Sequence, residues 1–226
     1  MIYCHDSPDF HEMNFIRRYL RAGDTFLDIG ANIGVYSLLA ASRVGPSGRV
    51  VAFEPAKQAS KRLHENISIN QLKNVKVHAC ALGDREGIVE FLDQRDTMNR
   101  MITPADEGGS RISVPVARLD DMVTFKCAMG KMDIEGAEPL AFRGGSRKLA
   151  EINPPVWMLE LNGSLHAYGF TEAEFSDWLT ERGYDLCLYD ANRQELKFSA
   201  TSPWLVSPNV FAIARSMKQE VARSEE

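Results

Sequence analysis

The sequence predicts an α/β fold in which a mostly parallel sheet carries helices on both of its faces. Short apolar runs of strand length alternate with longer runs in which apolar residues recur at helical spacing. This alternation is typical of strand–helix–strand units, whose crossovers are right-handed. A pair of glycines, Gly30 and Gly34, marks the end of the first strand and the start of the next helix.

The composition limits the kinds of protein that the chain can represent. Its 226 residues are enough for one domain with a substantial core, which we expect to extend over 1–226. The net charge of −5 disfavours broad binding to a nucleic-acid backbone, and no apolar stretch is long enough to cross a membrane. We therefore expect no nucleic-acid or membrane partner, and the sequence makes no prediction of the oligomeric state.

The cysteines and the N-terminus favour a cytoplasmic location. The N-terminal residues lack the basic start and the apolar core of a signal peptide. The cysteines are scattered and form no Cys-x-x-Cys pair, which favours free buried thiols over a zinc site. They are Cys4, Cys80, Cys127 and Cys187.

The first half of the chain contains the first strand–helix–strand units. An N-terminal helical segment is expected over 1–23. Its helix should begin at Ser7 and Pro8 and end at Gly23. Val35, Leu38, Leu39 and Val44 are expected to form the buried side of the next helix. In chain order, the later elements are a strand over 25–29, a helix over 35–44, a strand over 49–53, a helix from Pro55 and a strand over 75–80.

The second half continues the pattern after a long interruption. The polar segment 93–111 has no clear periodicity, so a substrate loop and a surface insertion are both compatible with it. Thr171 and Glu174 form a capping-box pattern at the start of a helix that Gly183 ends. The last residues, 215–226, are polar and are expected to fray. Strands are expected over 88–92, 112–116, 128–134, 156–161, 184–189 and 210–214.

The glycine turn is the first candidate binding site. Glycine lets the chain turn tightly and lets a ligand approach the backbone. The first amides of a helix have no partner within the helix, so such a turn favours a carboxylate or a phosphate. A dinucleotide site would require Gly-x-Gly-x-x-Gly, whereas here Gly30 is followed by Gly34 without a third glycine.

The ends of the next strands supply further candidates. Glu54 closes the second strand, where ligands of open α/β sheets bind, and its carboxylate could accept from both hydroxyls of a ribose. The turn at Ala81, Leu82, Gly83 and Asp84 could form an apolar wall for adenine. Alternatively, Glu54 is a solvated surface acid, and the turn over 81–84 is an ordinary turn without a ligand.

Three acidic residues lie close together at the end of the strand expected over 128–134. Asp133, Glu135 and Glu138 lie within six residues, and buried charges are costly unless they have partners. Glu138 precedes Pro139, so an acidic helix start explains it better than a role in a site. His166 follows a predicted strand on the ligand side of the sheet, although a histidine in a loop often has no catalytic role.

Together these stretches resemble the FkbM-type family of S-adenosylmethionine-dependent methyltransferases. The resemblance rests on four segments in order, which are 28–37, 53–55, 81–84 and 132–138, and it covers 10–214. It implies a Rossmann-like class I methyltransferase fold, with a seven-stranded sheet whose last strand is antiparallel. It also implies that S-adenosylmethionine is the cofactor.

The resemblance also assigns roles to individual residues. Asp133 would lie beside the reactive centre, where a sulfonium cation would be its electrostatic partner. The methionine end of the cofactor would be held by Asp28, Gly30, Ala31, Asn32, Gly34 and Ser37, the ribose by Glu54 next to Pro55, and the adenine by Ala81 and Leu82.

The expected reaction is O-methylation of a sugar or a secondary metabolite, with a small molecule or a glycan as acceptor. A base would assist a hydroxyl acceptor, and the candidates are Asp133, Glu135 and His166. No metal is expected, although Asp133, Glu160 and Asn162 would be oxygen donors for Mg²⁺ in an alternative reaction. A nucleotide-binding oxidoreductase and a non-catalytic cofactor-binding module are the other functions considered.

Overall fold

The computed structural model describes residues 10–92, 111–198 and 202–223. Within these ranges, the strands are β1 (Thr25–Ile29), β2 (Arg49–Phe53), β3 (Val75–His78), β4 (Ala81–Leu82), β5 (Gly87–Leu92), β6 (Arg111–Ala117), β7 (Met129–Met132), β8 (Val156–Glu160), β9 (Tyr184–Asp190), β10 (Glu195–Lys197) and β11 (Asn209–Ala214). The α-helices are α1 (Phe10–Tyr19), α2 (Val35–Val44), α3 (Lys57–Ile69), α4 (Leu119–Met122), α5 (Glu138–Gly144), α6 (Ser146–Leu149), α7 (Glu172–Glu181) and α8 (Lys218–Arg223).

The larger sheet has eight strands in the order β10-β9-β11-β8-β7-β1-β2-β3. The strands from β8 to β3 are paired in parallel, and β11 is antiparallel to both β8 and β9. This confirms the mostly parallel sheet with an antiparallel last strand. The short strand β10 extends the predicted seven strands at one edge, where it forms a hairpin with β9.

Helices α2 and α3 pack on opposite faces of this sheet. Ala52 of β2 lies in a small cluster with Leu63 of α3, whereas Val51 and Phe53 lie in the main core with residues of α2. Successive side chains of a strand point to opposite faces, which accounts for this division. The predicted helices on both faces are therefore present around β2.

The buried side of α2 differs from the predicted one. Val35 is 39% exposed and Leu38 and Leu39 are half-buried. The inward side instead carries Ser37 at 0% exposure, together with Tyr36, Ala40, Ala41 and Val44. The apolar pattern misses this orientation because Ser37 faces inward to donate a hydrogen bond to Asp28.

A second, three-stranded sheet has the order β4-β6-β5. Ala81 and Leu82, expected in a turn, instead pair in parallel with Val116 and Ala117 of β6. The predicted strands over 88–92 and 112–116 are confirmed as an antiparallel pair, in which Leu92 lies opposite Arg111. Of the segment 93–111, only Arg111 lies within the described residues.

The remaining expectations are met in part. Strand β3 ends at His78, before the expected Cys80. Residues 215–223, which were expected to fray, are helical, and Val221 is fully buried. Ser7, Pro8 and Cys4 lie outside the described residues, and Cys80, Cys127 and Cys187 are buried and form no disulfide with one another. In the described part of the chain, no helix has the length and apolar character needed to cross a membrane.

The predicted capping box of α7 is confirmed. The side chain of Thr171 accepts a hydrogen bond from the amide of Glu174, and the Glu174 carboxylate accepts one from the amide of Thr171. Each bond satisfies an amide that would otherwise have no partner at the helix start.

We expect Thr171→Ala to lower the free energy of unfolding by about 1 kcal/mol, because the cap is lost. Urea unfolding measures the change. Thr180→Ala, at an exposed position of the same helix, is the control. If both variants lose the same free energy of unfolding, the cap does not stabilise the helix as expected.

Candidate active site

Four polar groups meet at the carboxyl edge of the parallel strands. Asp28 lies near the end of β1, Glu54 follows β2, Asp133 follows β7 and Glu160 ends β8. These strands are neighbours in the order β8-β7-β1-β2, so their ends lie side by side. Ligands of open α/β sheets bind at this edge, so the expected site residues come from adjacent elements.

The glycine turn is packed tightly against the neighbouring strands. Gly30 has a φ of 78°, and a Cβ on it would lie 1.8 Å from the carbonyl oxygen of Asp133. Gly34 has a φ of 93°, and a Cβ on it would lie 2.3 Å from Leu63 Cδ1. The amides of Gly30 and Ala31 both donate to the carbonyl of Phe53. These contacts explain both glycines without any ligand, which differs from the expected reason for them.

Asp28 and Ser37 form a buried pair inside the turn. The Ser37 hydroxyl donates to Asp28 Oδ2 at 2.6 Å, and both side chains are 0% exposed. Burial raises the pKa of Asp28, although Lys131 and the Ser37 hydrogen bond oppose this shift. Asp28 Oδ1 is buried without a hydrogen-bond partner among the described residues. This oxygen could accept from a donor group of a ligand.

Glu54 links the turn to the end of β2. Its Oε2 accepts from the amide of Asn32 and its Oε1 from the amide of Ala56, both at 2.8 Å. Burial raises the pKa of Glu54, and these two hydrogen bonds oppose the increase. Each carboxylate oxygen has a second lone pair, so the group can still accept from hydroxyls. Pro55, next in the chain, is half-buried.

The residues expected to contact adenine are covered by other side chains. Ala81 is 7% and Leu82 2% exposed. Ala81 lies in one apolar cluster with Val116 and with Ala137, which lies between Glu135 and Glu138 in the chain. Both side chains therefore pack in the interior, and they expose little surface that a ligand could contact.

The acidic cluster consists of Asp133, Glu135 and Glu160, which each offer a carboxylate oxygen within 4.8 Å of the others. Asn162 donates to Glu160 Oε2 at 3.2 Å and accepts from the amide of Ser164. The three oxygens are close enough to surround a cation. The Mg²⁺ ligands suggested by the sequence were Asp133, Glu160 and Asn162, so Glu135 takes the place of Asn162 in this set. Lys131 already supplies a positive charge, because its Nζ lies 2.9 Å from Asp133 Oδ2.

Opposite protonation states are favoured for Asp133 and Glu160. Burial opposes ionisation of Asp133, but Lys131 and a hydrogen bond from Glu160 outweigh it and hold the pKa of Asp133 below its usual value. Burial, repulsion by Asp133 and the hydrogen bond to Asp133 raise the pKa of Glu160 to about 8. These shifts favour an ionised Asp133 and a protonated Glu160 when the two groups share one proton.

Lys131 is the functional candidate that the sequence analysis missed. The signal was present, since a lysine inside the apolar run 128–134 has to find a partner when the strand is buried. Its ammonium group lies 3.5 Å from the carbonyl oxygen of Gly30 and 5.1 Å from the centre of the Tyr36 ring. Lys131 thus contacts the turn, helix α2 and the acidic cluster together.

His166 lies apart from this cluster. It belongs to a 3₁₀ helix over Ser164–Tyr168, and its side chain is 65% exposed. Its Nε2 lies 3.8 Å from Glu172 Oε2. His166 is not a member of the cluster formed by Asp133, Glu135 and Glu160.

Glu138 is the first residue of α5, as expected for an acidic helix start, and it is fully buried. Its Oε1 accepts from the amide of Ile134 at 2.9 Å. Burial raises the pKa of Glu138 to about 8. Its contacts are therefore those of a residue that holds the segment after β7 in place.

Two open cavities lie at the opposite edge of the sheet. One has a volume of about 830 Å³ and is lined by residues that include Gly48, Arg49, Asn74 and Phe125. The other, of about 490 Å³, is lined by residues that include Thr25, Ala128 and Pro154. Both adjoin the amino ends of strands, and neither is lined by Asp28, Glu54 or Asp133. Because the reactive groups lie at the carboxyl edge, we place the candidate site there.

A family model described as the Methyltransferase FkbM domain matches residues 28–186. The chain belongs to the FkbM methyltransferase family. The match begins at Asp28 and includes Glu54, Asp133 and Glu160. It agrees with the expected family and favours a methyltransferase over the oxidoreductase.

Curated relatives match parts of this FkbM chain. The AMB antimetabolite synthetase AmbE of Pseudomonas aeruginosa is 36% identical over 131 residues, which are 47% of this chain and 6% of that protein. Methyltransferase 1 of Beauveria bassiana is 24% identical over 169 residues, 62% of each chain. The chain thus spans less than two thirds of both relatives.

Solved structures share the fold. A methyltransferase FkbM from Methylobacillus flagellatus has a TM-score of 0.57 and 18% identity, and the alignment covers 92% of this chain and 50% of that one. A methyltransferase from Streptococcus mutans, solved with S-adenosylhomocysteine, has a TM-score of 0.52 and 12% identity over 94% of this chain and 97% of that one. At these identities the likeness establishes the Rossmann-like methyltransferase fold.

Glu138→Gln is expected to flatten the pH dependence of stability. The pKa of Glu138 is about 8 in the folded chain against an ordinary 4.5, so the folded chain holds a proton that the unfolded chain loses between these pH values. The free energy of unfolding therefore falls as pH rises through this interval, and Gln cannot contribute to that fall.

Urea unfolding at several pH values across this interval tests the expectation. Glu181→Gln is the control, because the side chain of Glu181 is 77% exposed. A slope in the Glu138 variant equal to that of the unmodified protein would contradict the expectation.

Proposed function

We propose that this chain transfers a methyl group from S-adenosylmethionine to a hydroxyl oxygen of a sugar or a secondary metabolite. The observation that carries the proposal is the junction of the glycine turn, Glu54 and the acidic cluster at one edge of the sheet in an FkbM chain. A small molecule or a glycan is the proposed acceptor.

The described residues fit such a cofactor. Among the described residues Asp28 Oδ1 has no hydrogen-bond partner, and Glu54 keeps lone pairs that could accept from ribose hydroxyls. The first hydrogen bond of helix α2 runs from the amide of Leu38 to the carbonyl of Gly34. The amides that precede Leu38 form the start of the helix, where the helix dipole favours a carboxylate. The turn at Gly30, Ala31, Asn32 and Gly34, with Ser37 behind it, would position the methionine end. When bound, the cofactor supplies an activated methyl group on a sulfonium.

The chain itself would position the acceptor and receive its proton. Well-oriented reactants can supply a large part of the rate acceleration, and a base assists a hydroxyl nucleophile. Asp133 and Glu135 are the proposed bases, because both belong to the cluster beside the turn. His166 is the third proposed base; its exposed side chain lies near Glu172, outside the acidic cluster.

The acceptor class rests on two supports. The family resemblance suggests sugars and secondary metabolites. The relative from Pseudomonas aeruginosa, which matches 47% of this chain, is named as an antimetabolite synthetase. Both favour a hydroxylated metabolite over a macromolecule.

Asp133→Asn is expected to lower methyl transfer much more than it lowers stability, because it removes the ionised carboxylate of the cluster. The protein is incubated with labelled S-adenosylmethionine and a fractionated lysate of the source organism, and the labelled product is identified by mass. Asp177→Asn, at an exposed position of α7, is the control. Absence of a labelled product with the unmodified protein would overturn the catalytic proposal and favour a non-catalytic cofactor-binding module.

Glu54→Ala is expected to weaken binding of S-adenosylhomocysteine by on the order of 1–3 kcal/mol, because the ribose loses its acceptors. Titration calorimetry measures the affinity, and thermal unfolding of the same samples reports any loss of the amide contacts. Glu65→Ala, on the exposed side of α3, is the control. Unchanged affinity would remove Glu54 from the binding site.

A further inference from the structure

The buried ammonium group of Lys131 is a fixed positive charge within the candidate site. The side chain is 9% exposed and pairs with Asp133 at 2.9 Å. Burial lowers the pKa of Lys131, but attraction to Asp133 and Asp28 and the hydrogen bond to Asp133 outweigh this and raise it overall. Lys131 therefore stays charged although it lies inside the fold.

One lysine faces several acids at this edge. Its charge favours ionisation of Asp28, Glu54, Asp133 and Glu160, which lie at the ends of four neighbouring strands. The same ammonium group approaches the Gly30 carbonyl and the Tyr36 ring, so it is held close to the turn. The electrostatic potential of the turn thus depends on Lys131 as well as on the acids.

The charge of the cofactor changes during the proposed reaction. The bond between carbon and sulfur breaks as the bond between carbon and the acceptor oxygen forms, the electron pair stays on sulfur, and the hydroxyl proton passes to a carboxylate. A sulfonium cation therefore gives way to a neutral thioether. Acids without a compensating cation would stabilise the cationic reactant more than the transition state, which would slow the reaction.

We propose that Lys131 is a positioning residue that holds Asp133 against the glycine turn and limits the preference of the site for the cationic cofactor over its neutral product. This inference rests on the proposed function. It assigns to Lys131 an electrostatic role that a residue needed only for folding would not have.

The test compares the dissociation constants of S-adenosylmethionine and S-adenosylhomocysteine by titration calorimetry. Lys131→Met removes the positive charge, so the preference for the cation should rise roughly five- to thirtyfold, the size expected when one unit charge is removed from a partly solvated site. Lys131→Arg keeps the charge, and its preference should remain near that of the unmodified protein.

Lys148→Met is the matched control. Lys148 is another lysine with little exposure, 2%, and it pairs with Glu151 and with the carbonyl of Phe125 away from the carboxyl edge. Its loss should leave the preference between the two ligands unchanged. If Lys131→Met weakens both ligands by the same factor, Lys131 has only a structural role and the inference is wrong.

A second pair of variants covers a failure of Lys131→Met to fold. Asp133→Asn and the double variant Lys131→Met with Asp133→Asn differ only at Lys131, and the double variant leaves neither member of the ion pair buried alone. The double variant should prefer the cation more strongly than Asp133→Asn does, and an equal preference would overturn the inference. If the unmodified protein binds neither ligand, the proposed function fails as well.

Discussion

The close approach of Gly30 to the carbonyl of Asp133 is the constraint on which the carboxyl edge depends. A side chain at this position would collide with that carbonyl, so the turn after β1 and the segment after β7 can meet only through glycine. The amide of Asp133 also donates to the carbonyl of Ile29 at 3.0 Å. The turn and the acidic cluster are therefore parts of one packed arrangement, and the position of each determines that of the other.

Desolvation then determines the charges of this arrangement. Carboxylates at strand ends lose water, and each keeps its charge only as far as its local partners allow. Asp133 has Lys131 and the proton of Glu160, Glu54 has two backbone amides, and Asp28 has Ser37. The acids therefore differ in protonation although they have the same type of side chain.

Much of the fold could be predicted from the sequence, because periodicity and glycine placement are local signals. They located the parallel strands, the capping box at Thr171 and the strand-end acids Glu54 and Asp133. They missed the inward orientation of Ser37, the short strand at Ala81 and Leu82, and the central position of Lys131. Each of these depends on a partner distant in sequence, namely Asp28, β6 and the Gly30 carbonyl, which local periodicity does not report.

The three-stranded sheet packs on the rest of the fold through two apolar clusters: Leu82 belongs to the main core, and Ala81 shares a smaller cluster with Ala137. Its antiparallel pair β5 and β6 forms hydrogen bonds within this smaller sheet, separate from the strand order of the eight-stranded sheet. Changes on the exposed side of that hairpin, where Ile88 is 76% exposed, therefore leave the strand pairing beside the glycine turn intact. The sequence of this hairpin could therefore change during evolution independently of the residues at the carboxyl edge.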